Sequence, residues 1–202
     1  MNTELLKQHI SAYKKWINEN KEQAISEQGE RKQLSSVYQA YTKERILSMT
    51  EEDIYEYIAP LWAMLIWGNK QYVVNKLISD NGLEILKKQI ANLIWGSDKI
   101  ETRWDEFRKK IKGMGPAMMS ELLCKTYPHE YLIWNRRALI GFDYLEIPNL
   151  PRYDYQLKGK MYAYLCEKAK EMAVVMEKEQ IILLIYLRLI TLFGRNYKFS
   201  QT

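Results

Sequence analysis

The residues best suited to do chemistry lie between Phe107 and Ala138, in the stretch FRKKIKGMGPAMMSELLCKTYPHEYLIWNRRA. Gly113 and Gly115 separate two stretches of helical pattern, and Pro116 suits the first turn of the second. Glycines in such a turn take backbone angles closed to other residues and leave no side chain in the way. Consecutive backbone N–H groups at the turn and at the next helix start can then converge on one anion. Lys112 flanks the turn, and Lys109 and Lys110 lie on the preceding helix. That chemistry is a grip on a phosphate of a DNA backbone, which positions a protein without reading sequence. An ordinary helix–helix turn uses the same glycines. The flanking lysines, the apolar frame and the 20-residue interval from Gly115 to Asn135 make the phosphate reading more specific.

Gly113, Met114, Gly115 and Pro116 resemble the hairpin of the helix-hairpin-helix DNA glycosylase superfamily. Lys112 stands where that family usually has proline, and Met119 where it often has alanine. The resemblance implies an all-α fold of two helical lobes with the hairpin at a cleft. It also implies two catalytic positions, and this chain departs from the family at both. The family's aspartate position falls on Asn135, after Leu132, Ile133 and Trp134. An amide neither carries negative charge nor accepts the proton. The lysine position of lyase-type members, two residues after the second glycine, is Ala117, which cannot form a Schiff base. Glu121 is a nearby carboxylate on the second helix and is not expected to substitute. The region from Lys112 to Leu145, with Ser120 and YPHEYLIWN, is also similar to a segment upstream of the ATPase in some McrB-type restriction proteins. That second resemblance implies a role in restriction or phage defence. No phosphate loop of the Gly-x-x-x-x-Gly-Lys-Ser/Thr type occurs here, so no ATPase is expected within this chain.

Other candidates have two readings each. Asn135 is a good helix cap, which does not exclude a position at a pocket. Arg136 and Arg137 sit in the first turn of the helix it would cap, the end that disfavours cations; a phosphate nearby would offset this. Trp62, Trp67 and Trp134, with Asn135, could line a pocket for a flipped base, although tryptophans are more often core. Tyr153, Tyr155, Tyr162 and Tyr164 read as packing and surface more than as a platform for single strands.

The elements that must position these residues read as helices throughout. Asn2 or Thr3 starts the first, carrying Leu6, Ile10, Tyr13 and Ile17 at helical spacing, and Leu34, Val37, Tyr38 and Tyr41 mark the second. Thr50 and Asp53 resemble a capping box opening a helix with Ile54, Tyr57, Ile58 and Leu61, which Pro60 interrupts. The run Leu61–Trp67 is apolar on every side and is expected to be deeply buried. A helix over 71–79, an Asn81–Gly82 turn and a helix with Leu86, Ile90, Leu93 and Ile94 follow, the last closed by Gly96 as a C-cap. Asp98 and Glu101 predict a capping box for the helix running to Ile111. The second hairpin helix runs to Thr126. Residues 131–134 are extended, and Asn135 caps a helix over 136–142. Residues 143–153, with Pro148 and Pro151, read as a linker before a long amphipathic helix with Met161, Leu165, Met172 and Met176. The apolar run Ile181–Phe193 is too short for a bilayer span; it reads as a buried final helix or one docking on a protein partner. The divisions are an N-terminal helical lobe (1–100), the hairpin segment (101–145) and C-terminal helices (146–202).

Charge singles out the same region. Residues 1–102 carry 13 basic and 14 acidic side chains, whereas residues 103–137 carry 8 and 4. Positive charge gathered in a short segment suits a polyanion better than an even mixture does. Cys124 and Cys166 lie in helical patterns and make no disulfide framework, so a reducing, cytoplasmic setting is expected. With His9 and His129 widely spaced, no metal or other cofactor is expected, and no signal peptide or membrane partner. The reading is a non-catalytic domain whose partner is DNA, of modified or distorted form. The runners-up are a base-excision glycosylase with an altered site and a protein-interaction module that kept the fold.

Overall fold

A computed structural model describes residues 1–179, and in that range the secondary structure is entirely helical. The helices are α1 (Thr3–Glu19), α2 (Lys21–Gln39), α3 (Lys43–Leu47), α4 (Glu51–Ile58), α5 (Lys70–Asn81), α6 (Leu83–Trp95), α7 (Ile100–Lys110), α8 (Pro116–Thr126), α9 (Arg136–Tyr144) and α10 (Gly159–Lys178). Short 3-10 turns lie at Trp62–Met64 and Asp154–Gln156. The expected final helix at Ile181–Phe193 lies outside the described residues.

Several starts are those the sequence marks. The Asn2 side chain accepts the Leu5 N–H at 3.2 Å, Thr50 and Asp53 form the reciprocal capping box, and Asn69 accepts the Tyr72 N–H at 2.9 Å. Each cap satisfies a donor the helix leaves orphaned and contributes about 1 kcal/mol. One continuous core runs from Leu6 on α1 to Met176 on α10. Every residue of α8 except Ala117 is buried, which places this helix at the centre of the molecule. A central helix can carry polar residues only if they find partners. Thr126 donates to the Leu122 carbonyl at 2.9 Å, Ser120 bonds Ala117 and Trp134, and Ser35 of α2 donates to the Lys125 carbonyl at 2.8 Å.

The hairpin's first helix is tied to α10. Trp104 stacks on Tyr162 with ring centroids 4.0 Å apart, and the Tyr162 hydroxyl donates to the Leu132 carbonyl at 2.8 Å. The Gly159 N–H reaches Asp105 Oδ1 at 2.8 Å, and a Cβ at Gly159 would overlap the Glu101 carbonyl. Only glycine lets α10 start against α7 this closely.

The structure corrects four local expectations. Of Leu61–Trp67, only Leu61 and Met64 are buried; the chain leaves the core, and Leu65, Ile66 and Trp67 are 68%, 82% and 49% exposed. The helix has already ended at Ile58, two residues before Pro60, so this run is a turn and has no helical face to bury. Val37 points outward while Tyr38 one residue on is buried. Gly96 does close α6 as its C-cap, in an extended conformation where a Cβ would crowd the Asn92 carbonyl and the Arg103 side chain. Asp98 and Glu101 form no capping box, because the helix begins after Lys99 and Arg103 occupies the Asp98 carbonyl at 2.9 Å. Residues 143–153 are packed, not a free linker. Leu145, Ile147 and Pro151 are buried, the Asn2 N–H donates to the Leu145 carbonyl at 2.8 Å, and Glu146 and Asn149 hold positive φ.

Candidate functional site

The turn between α7 and α8 starts where Ile111 leaves the helix in an extended conformation. Gly113 then takes φ +83°, the left-handed region that a Cβ disfavours. Gly115 is extended and serves as the N-cap of α8, so no side chain caps that helix. Pro116 has no N–H, which leaves the amides of Ala117 and Met118 as the first donors of α8. Both glycines are exposed. Asn81, the last residue of α5, clamps the turn from behind. Its Oδ1 accepts the Lys112 N–H at 2.8 Å, and its Nδ2 donates to the Lys112 carbonyl at 2.9 Å. This clamp fixes the Lys112 backbone and leaves its side chain in solvent. Met114 is buried and packs into the core beneath the turn, beside the hollow that Gly113 and Gly115 border.

The turn borders an open cleft of about 1230 Å³. One wall is Trp62, Ala63 and the lip Leu65–Trp67; a second is Gly113, Gly115 and Ala117; a third is Ile133 to Arg137; a fourth is Pro151 to Asp154. Glu27 and Arg31 of α2 lie at its edge, paired at 3.5 Å. Burial pushes the Arg31 guanidinium down from its ordinary range, yet a guanidinium there stays charged. Arg136, Arg137 and Arg152 are exposed and have no carboxylate within ion-pair distance among the described residues. The cleft therefore combines guanidinium groups unpaired among the described residues with the rings of Trp62 and Trp67, while Trp134 is 7% exposed.

Its floor is held by α8. Ser120 Oγ accepts the Trp134 N–H at 2.9 Å, which fixes the extended stretch 131–134 against the helix. Asn135 then caps α9 through the Ala138 N–H at 3.1 Å and still lines the cleft. The Trp134 ring meets Phe142 edge-on at 5.5 Å. Glu121 is spent on structure: its two oxygens accept the N–H groups of Trp62 and Ala63 at 2.7 and 2.9 Å, and Lys125 Nζ lies 2.7 Å away. Both ionic side chains are 1% exposed. Lys125 also faces the rings of Tyr38 and Trp62 at 4.7 and 5.2 Å. Burial, with the Glu121 carboxylate beside it, raises the Tyr38 hydroxyl far above its ordinary range, so it stays protonated and donates to the Tyr57 carbonyl at 2.9 Å.

The structure brings Trp62, Trp67, Trp134, Asn135, Arg136, Arg137, Gly113, Gly115 and Ala117 to one cleft. Lys109, Lys110 and Lys112 are exposed outside it, with Lys110 near Glu106 at 3.7 Å. Arg31 and Arg152 complete the cleft and were not singled out in sequence; Tyr153, read there as packing and surface, and Leu65 and Ile66, read as core, line it too. No local pattern marks Arg31, which arrives through the packing of α2 on α8. Among the described residues, no group of three or more His, Cys, Asp or Glu is placed to hold a metal ion, and no helix is long and apolar enough to cross a membrane. Compared with known proteins, the chain matches no family model, and no curated protein or solved structure matches it at a significant level.

Proposed function

We propose that this chain is a non-catalytic DNA-binding domain that holds duplex DNA by its phosphates and receives a modified or displaced base in the cleft. The observation that carries the reading is the meeting of an uncapped helix start after Gly113–Gly115 with Arg136, Arg137 and three tryptophans around one cleft. The helix start and arginines suit phosphate oxygens, and the tryptophan faces suit a nucleobase. In this reading the α7–α8 hairpin is of the helix-hairpin-helix, glycosylase-like kind, and a place in restriction or phage defence follows from the McrB-type resemblance. Base excision is disfavoured because the cleft presents an amide at Asn135 and a methyl group at Ala117, while Glu121 is engaged with two backbone N–H groups and a lysine.

The test is anisotropy of labelled duplexes, unmodified and base-modified, across a salt series. Affinity is expected to fall linearly with salt on logarithmic axes, and Arg136→Glu with Arg137→Glu to flatten that slope by about one to two phosphates. Lys112→Glu is expected to weaken all duplexes alike. An absence of binding at low salt would sink the reading. The exposed lip Leu65–Ile66–Trp67 would then favour a second one, a protein partner docking on the apolar tip.

A further inference from the structure

The four tyrosines of the 153–164 stretch do not share a fate. Tyr162 is buried against Trp104, and the Tyr164 hydroxyl donates to the Pro148 carbonyl at 3.2 Å. Tyr153 and Tyr155 are 62% and 70% exposed, and their rings lie parallel, 7° apart in plane with centroids separated by 5.6 Å. Two large aromatic side chains left in water side by side forgo burial that most tyrosines obtain.

The backbone beneath them is pinned. Gln156 Oε1 accepts the N–H groups of Arg152 and Tyr153 at 2.8 and 3.1 Å. Arg108, from the first hairpin helix, donates to the Asp154 carbonyl at 2.8 Å, and Trp104 Nε1 donates to the Leu157 carbonyl at 3.0 Å. Pro151 and Leu157 anchor the two ends in the core. This turn faces the glycine turn across a hollow bordered by Arg108, Gly113, Gly115 and Asp154. Arg152, Lys158 and Lys160, all exposed, lie within five residues of the pair in sequence, against Asp154 as the single acidic side chain in that stretch.

We infer that Tyr153 and Tyr155 form a stacking ledge for unpaired nucleotides of a DNA strand that continues from the duplex held at Gly113–Gly115. This rests on the DNA-binding reading and adds a substrate class: a junction of duplex and single strand. A pinned aromatic pair in a basic stretch, facing the glycine turn across that hollow, has the chemistry that single strands use; bases stack on the rings while the backbone meets the cations. The pair is too close for a base to enter between its rings, so the outer faces are the ones offered. The excess of basic over acidic side chains in this stretch favours a polyanion as the occupant.

The experiment compares labelled blunt duplex, the same duplex with a short single-stranded tail at either end polarity, and the tail strand alone. It uses the wild-type chain, the Tyr153→Ala/Tyr155→Ala variant and the Tyr153→Phe/Tyr155→Phe variant. Both positions are exposed, and circular dichroism checks that the variants fold. Wild type is expected to bind one tailed duplex about tenfold tighter than blunt duplex. The alanine pair should bring tailed-duplex and blunt-duplex affinity together, and the phenylalanine pair should keep them apart. Equal affinity for tailed and blunt duplex, or a gain the alanine pair leaves intact, would overturn the ledge while the duplex reading stands. Tyrosine-dependent binding of the tail strand with no duplex binding would keep the ledge and overturn the duplex grip. No binding to any of the three overturns both.

Discussion

Glu121 receives the Trp62 N–H at 2.7 Å across 59 positions of sequence, and the bond joins the central helix to the wall of the cleft. The same carboxylate receives the Ala63 N–H and pairs with Lys125 in an environment closed to water. Removing one member of such a pair leaves a buried charge without compensation, which costs about 3–5 kcal/mol. Glu121→Ala should lose that much in urea unfolding. Glu121→Gln with Lys125→Met should recover a large part of it, since the amide oxygen still accepts an N–H and no buried charge remains. A Glu121→Ala loss near that of an exposed site would mean the pair is open to water and the wall is held otherwise.

The two hairpin glycines should separate by variant. Gly113 has φ +83° with only Leu77 Cδ1 near a Cβ, at 3.6 Å, so Gly113→Ala is penalised through the backbone, by about 1–2 kcal/mol. Gly115 is extended with nothing near a Cβ, so Gly115→Ala should change stability by no more than about 0.5 kcal/mol. Its cost is expected in binding instead. A methyl group between the first amides of α8 and a phosphate should weaken duplex affinity several-fold in anisotropy with an unchanged melting temperature. Undiminished affinity in Gly115→Ala would remove the close phosphate approach.

What the sequence made legible was local. The break at Gly113–Gly115, the caps at Asn2, Thr50 and Asn135 and the apolar faces of α1 and α4 follow from chemistry within a few residues, and the structure repeats them. The all-helical character followed from the same periodicities. Leu65, Ile66 and Trp67 misled because apolar composition signals burial only where an element exists to turn it inward, and Pro60 had ended that element. Glu121 and Lys125 were hidden for the opposite reason: an i,i+4 pair of charges usually marks a solvated face, and only the rings of Tyr38 and Trp62 closing over it reveal its burial. Arg152 and Tyr153 lie on a segment that reads as a linker, so nothing nearby in sequence points them to the cleft.

His9 makes stability sensitive to acid. Its ring is buried, edge-on to Tyr144 at 4.7 Å, and burial lowers its pKa below the ordinary value of about 6.5. A group whose protonation is resisted by the fold binds protons more readily when unfolded. Its stabilising contribution is therefore complete above about pH 6.5 and is lost as pH falls through the folded value. Urea midpoints should drop as pH falls below about 6.5, with the His9 imidazole resonances titrating below those of an unfolded reference. A His9→Gln variant should lose that part of the slope, and a titration at or above the reference would reverse the sign.

Asn135→Asp asks whether the cleft lacks only a carboxylate. Aspartate caps a helix as well as asparagine and adds a favourable charge at the N-terminus of α9, so the melting temperature should hold or rise slightly. Asn135→Ala, by contrast, should cost about 1 kcal/mol. The new charge beside Arg136 and Arg137 should weaken duplex binding, because it competes with phosphates for the same guanidinium groups. Neither wild type nor Asn135→Asp is expected to release free base from modified duplex, since Ala117 offers no amine and Glu121 is engaged by two N–H groups and Lys125. Base release by wild type would make the protein an enzyme with an altered site. Release by Asn135→Asp alone would mean that the cleft already holds a base in reacting position, and that one carboxylate separates this chain from base-excision chemistry.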